Sequence, residues 1–363
     1  MIDCPAYHDR LTDGQAVVIK GKRTTPVLLV RRLVAVQPVR VRHVITDVDT
    51  FWTIAFPLPR ATIGVMPELP EVETVVRVLR PMLVGRTIQT ASFPRPTRSM
   101  TNLPHEAMAS RIVGQSVQAV ERRAKYLLFR LDRDTLIVHL KMTGHLYVVP
   151  VGEMNPFDRW LRVHFPLDDG RELRFSDSRR FGRVYLCGDP AEVLPDLGPE
   201  PLEDSFTAAA FQARLNGRSG VLKALLLDQS FIAGVGNIYA DEALHQARLH
   251  PLRKADSLST KESTALHSAI RAVLNAGIAH NGATIGWYRD PQGAAGEMQN
   301  HFKVYRARGN EHLPCPDCGT PITTIRVGGR GTHFCPTCQP APKDTHPKKA
   351  VKAAKVKGGE NVP

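Results

Sequence analysis

The chain has no apolar run long enough to cross a bilayer, and its opening residues lack the charged-then-apolar order of a secretory leader. No helical membrane span is expected, and the cytosol is the default compartment. Glutamate is missing altogether from residues 1–65, which carry nine Lys/Arg against five Asp. That is an odd composition for a folded module, and little helical or strand order shows there beyond Val27–Val36. Cysteine is sparse, at six in 363 residues, so a disulfide scaffold is not what holds the chain together. What is present is ordinary globular material, 42% hydrophobic and 23% charged, enough for two domains or one large one.

The net charge of +13 and pI near 9.7 favour a polyanionic partner, because neutralised phosphates release counterions. The excess is unevenly spread. Residues 1–65 hold +4 and residues 341–363 another +4, leaving only +5 for everything between. From Lys343 onward, with Lys348, Lys349 and Lys352, the tail reads as a disordered basic arm that either adds nonspecific DNA affinity or merely solubilises.

Four cysteines say more. Cys315-Pro-Asp-Cys318 and Cys335-Pro-Thr-Cys338 are two CxxC pairs with sixteen residues between them. Two such knuckles complete a closed tetrahedral thiolate shell, the pattern of a structural zinc ion, with disulfides or buried thiols as the alternative. Between the pairs, Ile322–Val327 reads as a strand, Gly328-Gly329 as a turn and Thr332–Phe334 as the start of a return strand. This zinc-stapled hairpin carries Arg326 and Arg330 on or near its tip, as candidate phosphate or groove contacts.

Elsewhere, Val72, Val75, Val76, Leu79 and Leu83 recur at helical spacing between Pro70 and Gly85. Glu68, Glu71 and Glu73 crowd the first turn, where the alternatives are favourable interaction with the helix dipole and a catalytic role, and spacing does not choose between them. Residues 86–187 alternate short β-rich runs with turns, among them Tyr126–Leu131, Thr135–Leu140, Leu161–Phe165 and Val184–Cys187, which suggests a sandwich or a barrel. Pro-Asp-Leu-Gly-Pro-Glu-Pro, between Leu194 and Leu202, marks a linker; helical patterns follow to about Gly277. Gly234-Val-Gly-Asn-Ile-Tyr239 separates two helices. Its turn is either an ordinary helix connection or an anion site, at which Asn237 would add a side-chain donor.

Met66-Pro-Glu-Leu-Pro-Glu-Val-Glu73 reads like the first residues of an enzyme, although it begins 65 residues into the sequence. Position decides the chemistry. A terminal proline carries a secondary amine that attacks electrophilic carbon; an internal proline nitrogen is a tertiary amide with its lone pair delocalised.

Together with Arg122–Leu128, His139–Gly144, Arg179-Arg-Phe-Gly182, Leu197-Gly-Pro-Glu-Pro201, the glycine turn and the four-cysteine hairpin, this motif resembles the bacterial formamidopyrimidine-DNA glycosylases, the Fpg branch of the Fpg/Nei family. The likeness runs from Met66 to Gln339. It implies an α+β multidomain fold with an N-terminal β-sandwich with flanking helices, a helix–two-turn–helix domain and a C-terminal zinc-finger β-hairpin. The boundaries expected are 66–197 for the catalytic sandwich domain, 198–206 for the linker, 207–296 for the helical domain, 297–340 for the zinc finger and 341–363 for the tail. Residues 1–65 are an extension expected to be absent from the mature enzyme, by translation from Met66 or by cleavage at the same bond.

The resemblance further implies excision of oxidised purines from double-stranded DNA and nicking of the strand by β,δ-elimination, one structural zinc ion, and a monomer in the cytoplasm. A base inside a duplex is unreachable, so the nucleotide must be flipped out. In family terms Pro67 attacks C1′ and forms a Schiff base, Glu68 protonates the sugar ring oxygen, and Glu71 orders the site. Lys125 resembles the lysine that contacts the lesion phosphate and assists β-elimination, Arg330 the arginine of δ-elimination. Arg218, Lys223 and Asn237 match or approximate backbone-holding positions. Met142, Arg179 and Phe181 resemble the trio that fills the void, pairs with the orphaned cytosine and wedges beside it. Two positions depart from the pattern: Ser178 stands where proline is common, and Trp160 roughly where a DNA-contacting histidine often lies. Thr284–Gly296 corresponds to a variable lesion-capping loop. The rival expectations are a Nei-type enzyme for oxidised pyrimidines and a non-catalytic damaged-DNA-binding protein that keeps its extension.

Overall fold

The computed structural model describes residues 66–95, 97, 99–306 and 313–342. The expectations for residues 1–65 and for the tail from Lys343 onward lie outside the described residues.

Helix α1 (Leu69–Leu83) opens the described chain. Pro70 sits in its first turn, where a missing N–H costs nothing, and Gly85 lies just past its end with φ +80. After α2 (His105–Ile112) come seven strands, β1 (Val117–Arg123), β2 (Tyr126–Leu131), β3 (Thr135–His139), β4 (Gly144–Pro150), β5 (Leu161–Pro166), β6 (Arg171–Asp177) and β7 (Arg183–Cys187). They form two antiparallel sheets, β1-β2-β3-β7 and β4-β6-β5. Phe129, Val138 and Val184 of the first sheet share one core with Phe165, Leu173 and Phe175 of the second. The architecture is a sandwich, and the barrel alternative falls away. Strand β3 is buried on both faces, because Ile137 joins Leu128 and Cys187 in a small outer cluster.

The helical part contains α3 (Ala208–Leu215), α4 (Leu222–Leu227), α5 (Asn237–Gln246) and α6 (Thr260–Ala279). Ser259 and Glu262 cap α6 reciprocally: Glu262 N–H donates to the serine hydroxyl at 3.3 Å and Ser259 N–H to the glutamate at 2.9 Å. The last element is the hairpin β8 (Thr323–Val327) and β9 (Arg330–Phe334), whose Gly328-Gly329 turn has φ +55 and +77. The return strand starts at Arg330, two residues earlier than its sequence suggests.

Helix α1 belongs to both large cores. Leu69 packs with Phe231, Tyr239 and Leu274 of the helical part, whereas Val72, Val75, Val76, Leu79 and Leu83 pack into the sandwich. Its N-terminus is therefore fixed where the two meet.

Candidate active site and zinc centre

Glu68, the residue before α1, is only 2% exposed. Its carboxyl reaches the start of α5, where it accepts from Ile238 N–H at 2.9 Å and, more weakly, from Tyr239 N–H at 3.4 Å. The glycine turn is what lets it in. A Cβ on Gly236 would stand 2.3 Å from Glu68 Cδ. The acceptor held at this helix start is thus a side-chain carboxyl of the same molecule, and the Asn237 amide donates instead to the Gly331 carbonyl of the hairpin at 3.0 Å. Burial, the largest influence, raises the Glu68 pKa from 4.5 to about 7; nearby Lys125 opposes it, Glu71 reinforces it, and the two N–H donors oppose it weakly.

Glu71 ties three segments together. It accepts from Glu68 N–H at 2.8 Å, Tyr239 Oη–H at 2.8 Å and Ala283 N–H at 2.7 Å. Burial lifts its pKa as well, against those donors. Dipole stabilisation alone does not describe a carboxylate with three named donors from three parts of the chain.

Lys125 lies in the two-residue turn between β1 and β2, since Arg123 pairs with Tyr126. Its neighbour Ala124 adopts φ +52, a conformation that favours glycine or asparagine. Glu200 of the linker holds that turn, accepting from Ala124 N–H at 2.6 Å and pairing with Arg122 at 2.7 Å and Arg123 at 2.9 Å. Burial lowers the Lys125 pKa, the carboxylates of Glu68 and Glu71 raise it, and Arg330 and Lys141 lower it further. Lys125, Glu68, Met142, Asn237, Arg326 and Arg330 all line one cavity of about 390 Å³. Pro67 is buried beside it and borders a second, much smaller cavity with Glu71 and Tyr288.

On the sandwich side Met142, Arg179 and Phe181 do meet. The Arg179 guanidinium lies 3.3 Å from the Met142 sulfur and 4.9 Å from the centroid of the Phe181 ring, which is 45% exposed. Asp177, which carried no signal in the sequence, holds both loops: it accepts from the Thr143 hydroxyl, from Arg179 N–H at 3.1 Å and from Gly182 N–H at 2.7 Å.

Three expected DNA contacts stand differently. Arg218 is exposed but does not line the cavity. Lys223 is fully buried; its ammonium pairs with Asp241 at 2.6 Å and donates to the Gly331 carbonyl at 3.2 Å. Asp241 also accepts from His333 N–H at 3.0 Å. Lys223 is thus a staple between α4, α5 and β9, not an exposed phosphate contact, because the pairing that makes its burial tolerable is invisible in sequence. Trp160, expected near DNA, has Arg159 over its face at 3.7 Å and Trp287 against it edge-to-face at 5.2 Å.

The sulfurs of Cys315, Cys318, Cys335 and Cys338 lie within 4.8 Å of one another, and none is in a disulfide. A tetrahedral thiolate shell with Zn–S of about 2.3 Å spaces its sulfurs about 3.8 Å apart. Here Cys315 and Cys338 are 3.9 Å apart, Cys318 and Cys335 3.4 Å. The donor set fits one structural zinc ion.

Three family models match in order: the formamidopyrimidine-DNA glycosylase N-terminal domain over residues 66–184, the formamidopyrimidine-DNA glycosylase H2TH domain over 197–288, and the zinc finger found in FPG and IleRS over 313–341. The chain belongs to the formamidopyrimidine-DNA glycosylase family. It is 50% identical over 278 residues to the formamidopyrimidine-DNA glycosylase of Herpetosiphon aurantiacus, covering 76% of this chain and 100% of the relative. It is 48% identical over 282 residues to that of Symbiobacterium thermophilum, covering 77% and 90%. Among solved structures, the Thermus thermophilus MutM (Fpg) protein aligns with a TM-score of 0.65 at 43% identity, covering 75% of this chain and 98% of that one. A Lactococcus lactis FPG mutant in complex with Fapy-dG DNA aligns with a TM-score of 0.69 at 34% identity, covering 76% and 100%. Relatives matched over their full length leave about a quarter of this family member without a counterpart in them.

Proposed function

We infer that this family member is a bifunctional DNA glycosylase and AP lyase of base excision repair that removes oxidised purines, 8-oxoguanine and formamidopyrimidines, from double-stranded DNA. The observation that carries the reading is Glu68: a buried carboxyl with a pKa of about 7, beside Pro67, in a cavity whose wall also carries Lys125 and Arg330. Near neutral pH such a group retains its proton in a large fraction of molecules and can give it to a sugar oxygen, which an ordinary surface glutamate cannot.

In the reaction proposed, the secondary amine of Pro67 attacks C1′ of the flipped nucleotide. The C1′–N bond to the base breaks and the base leaves with the proton that the amine sheds; Glu68 protonates the ring oxygen as the C1′–O4′ bond opens, and the product is an iminium. That iminium drains electrons for loss of the 3′-phosphate and then the 5′-phosphate. Lys125 and Arg330 supply positive charge at those leaving phosphates, and Glu71 orders Pro67 and Glu68. Met142, Arg179 and Phe181 occupy the gap left in the duplex, and Asn237 and Arg218 hold the backbone. The chemistry requires Pro67 to be a chain terminus, so the active species proposed begins there. Residues 66–197, 207–296 and 297–340 are proposed as its units, joined by the linker at 198–206. A cytoplasmic monomer suffices, because the catalytic residues and the zinc cysteines come from one chain.

Strand cleavage of duplexes containing 8-oxoguanine opposite cytosine or thymine glycol tests the substrate. Preference for 8-oxoguanine supports the reading; preference for thymine glycol would transfer the enzyme to the pyrimidine branch.

A further inference from the structure

The small cavity beside Pro67 has an unusual wall. Ala283, Ile285 and Tyr288 close it, facing Pro67 and Glu71. The two ends of this arc are tied to the same residue: Ala283 N–H donates to the Glu71 carboxylate at 2.7 Å, and Tyr288 Oη–H to the Glu71 carbonyl at 3.2 Å. Between those ties the chain bulges outward through Gly286, at φ +85. Trp287 at the crest of the bulge meets Trp160 of the sandwich, ring centroids 5.2 Å apart and planes at 88°. Trp160 is itself held, since the Arg159 guanidinium lies over its ring, 3.7 Å from the centroid.

We propose that Trp160 is a positioning residue that braces the arc 283–288 through Trp287, and so fixes where the wall of the base-side cavity comes to rest. The inference rests on the reading that C1′ of the damaged nucleotide comes to Pro67. The cavity holds about 10 Å³. That is no more than one water molecule occupies, so the arc gives way when a base enters and then returns to its brace. Thr284 adds ties at the start of the arc, its N–H donating to the Gln299 side-chain carbonyl at 2.7 Å and its hydroxyl to the Tyr288 carbonyl at 3.2 Å, while the tryptophan pair is the contact that meets the crest. An edge-to-face pair shifts such a docking equilibrium by roughly three- to tenfold. The brace also accounts for Trp160 as something other than a DNA contact, since its ring is already engaged by Arg159 and Trp287.

The test uses Trp160→Ala, Trp287→Ala, the double variant and Trp160→Phe. Two readouts are single-turnover cleavage of 8-oxoguanine and of abasic-site duplexes; the third is amide exchange on the free protein. Either alanine variant should slow 8-oxoguanine excision by roughly three- to tenfold, leave DNA affinity and abasic-site cleavage level, and speed exchange across 284–287. The double variant should be no slower than the single ones, and Trp160→Phe should recover most of the rate. Unchanged abasic cleavage certifies the fold. Equal losses on both duplexes, weaker DNA binding, multiplicative losses in the double variant, or unchanged exchange would overturn the brace. Exchange needs no substrate, so it judges the brace even if the parent cut neither duplex, a result that would sink the functional reading instead.

Discussion

Replacing Glu68 by glutamine should separate stability from activity in a way that only a buried, proton-retaining carboxyl allows. The native group holds its proton up to about pH 7, whereas the unfolded one releases it near 4.5. Between those values the native state binds more protons than the unfolded state, so stability falls as pH rises through the window and levels off above it. Integrated from pH 5 to pH 9, this one residue removes about 2.5 kcal/mol. Glutamine is neutral throughout and lacks that slope. At pH 5 the two proteins should differ by no more than about 1 kcal/mol, the cost of turning an amide N–H2 towards one of the α5 donors. At pH 9 the balance should have moved about 2.5 kcal/mol in favour of Glu68→Gln, while strand cleavage is lost at both pH values. Urea unfolding of both proteins at the two pH values reads the difference, and groups common to both cancel. Parallel stability curves would refute the reasoning, because they would mean the carboxyl ionises at its ordinary value.

Gly236→Ala places a methyl 2.3 Å from the Glu68 carboxyl carbon, so cleavage should collapse while zinc content, read by metal analysis, stays whole. Lys223→Met leaves Asp241 buried without its cation and should cost about 3–5 kcal/mol in urea unfolding, part of which Lys223→Met/Asp241→Leu restores by removing the stranded charge. Stripping zinc with a chelator should release the hairpin that carries Arg330, abolishing strand cleavage; near-unchanged far-ultraviolet circular dichroism would show the sandwich and helices surviving.

Sequence period alone found α1, β2 and β3, because Val72, Val75, Val76, Leu79 and Leu83 and the apolar runs at 126–131 and 135–140 obey simple rules of spacing. It missed β6, where Glu172 and Arg174 are buried against each other and against His164 and Asp158. A strand whose buried charges are matched by one another and by neighbouring segments looks like surface until the chain is folded. The same holds in the site. Pro67, Glu68, Lys125 and the cysteines were legible as motif members; the structure lines one cavity with Glu68 and Lys125, buries Pro67 beside it and gathers the cysteines into one cluster. Lys223 misled because its partner, Asp241, lies on another helix. Glu200 was legible only as part of the linker motif, not as the holder of the β1–β2 turn, and Asp177 and the Trp160–Trp287 contact left no trace, since each works through residues distant in sequence.

The central claim is that the Pro67 nitrogen becomes bonded to C1′, and borohydride reduction during reaction with 8-oxoguanine DNA tests it most directly. The account predicts a trapped covalent adduct whose peptide mapping places the DNA on a chain beginning at Pro67, absent from parallel reactions with an undamaged duplex. Cleavage of the same duplex by a chain that begins at Met1, with no adduct on Pro67, would contradict it.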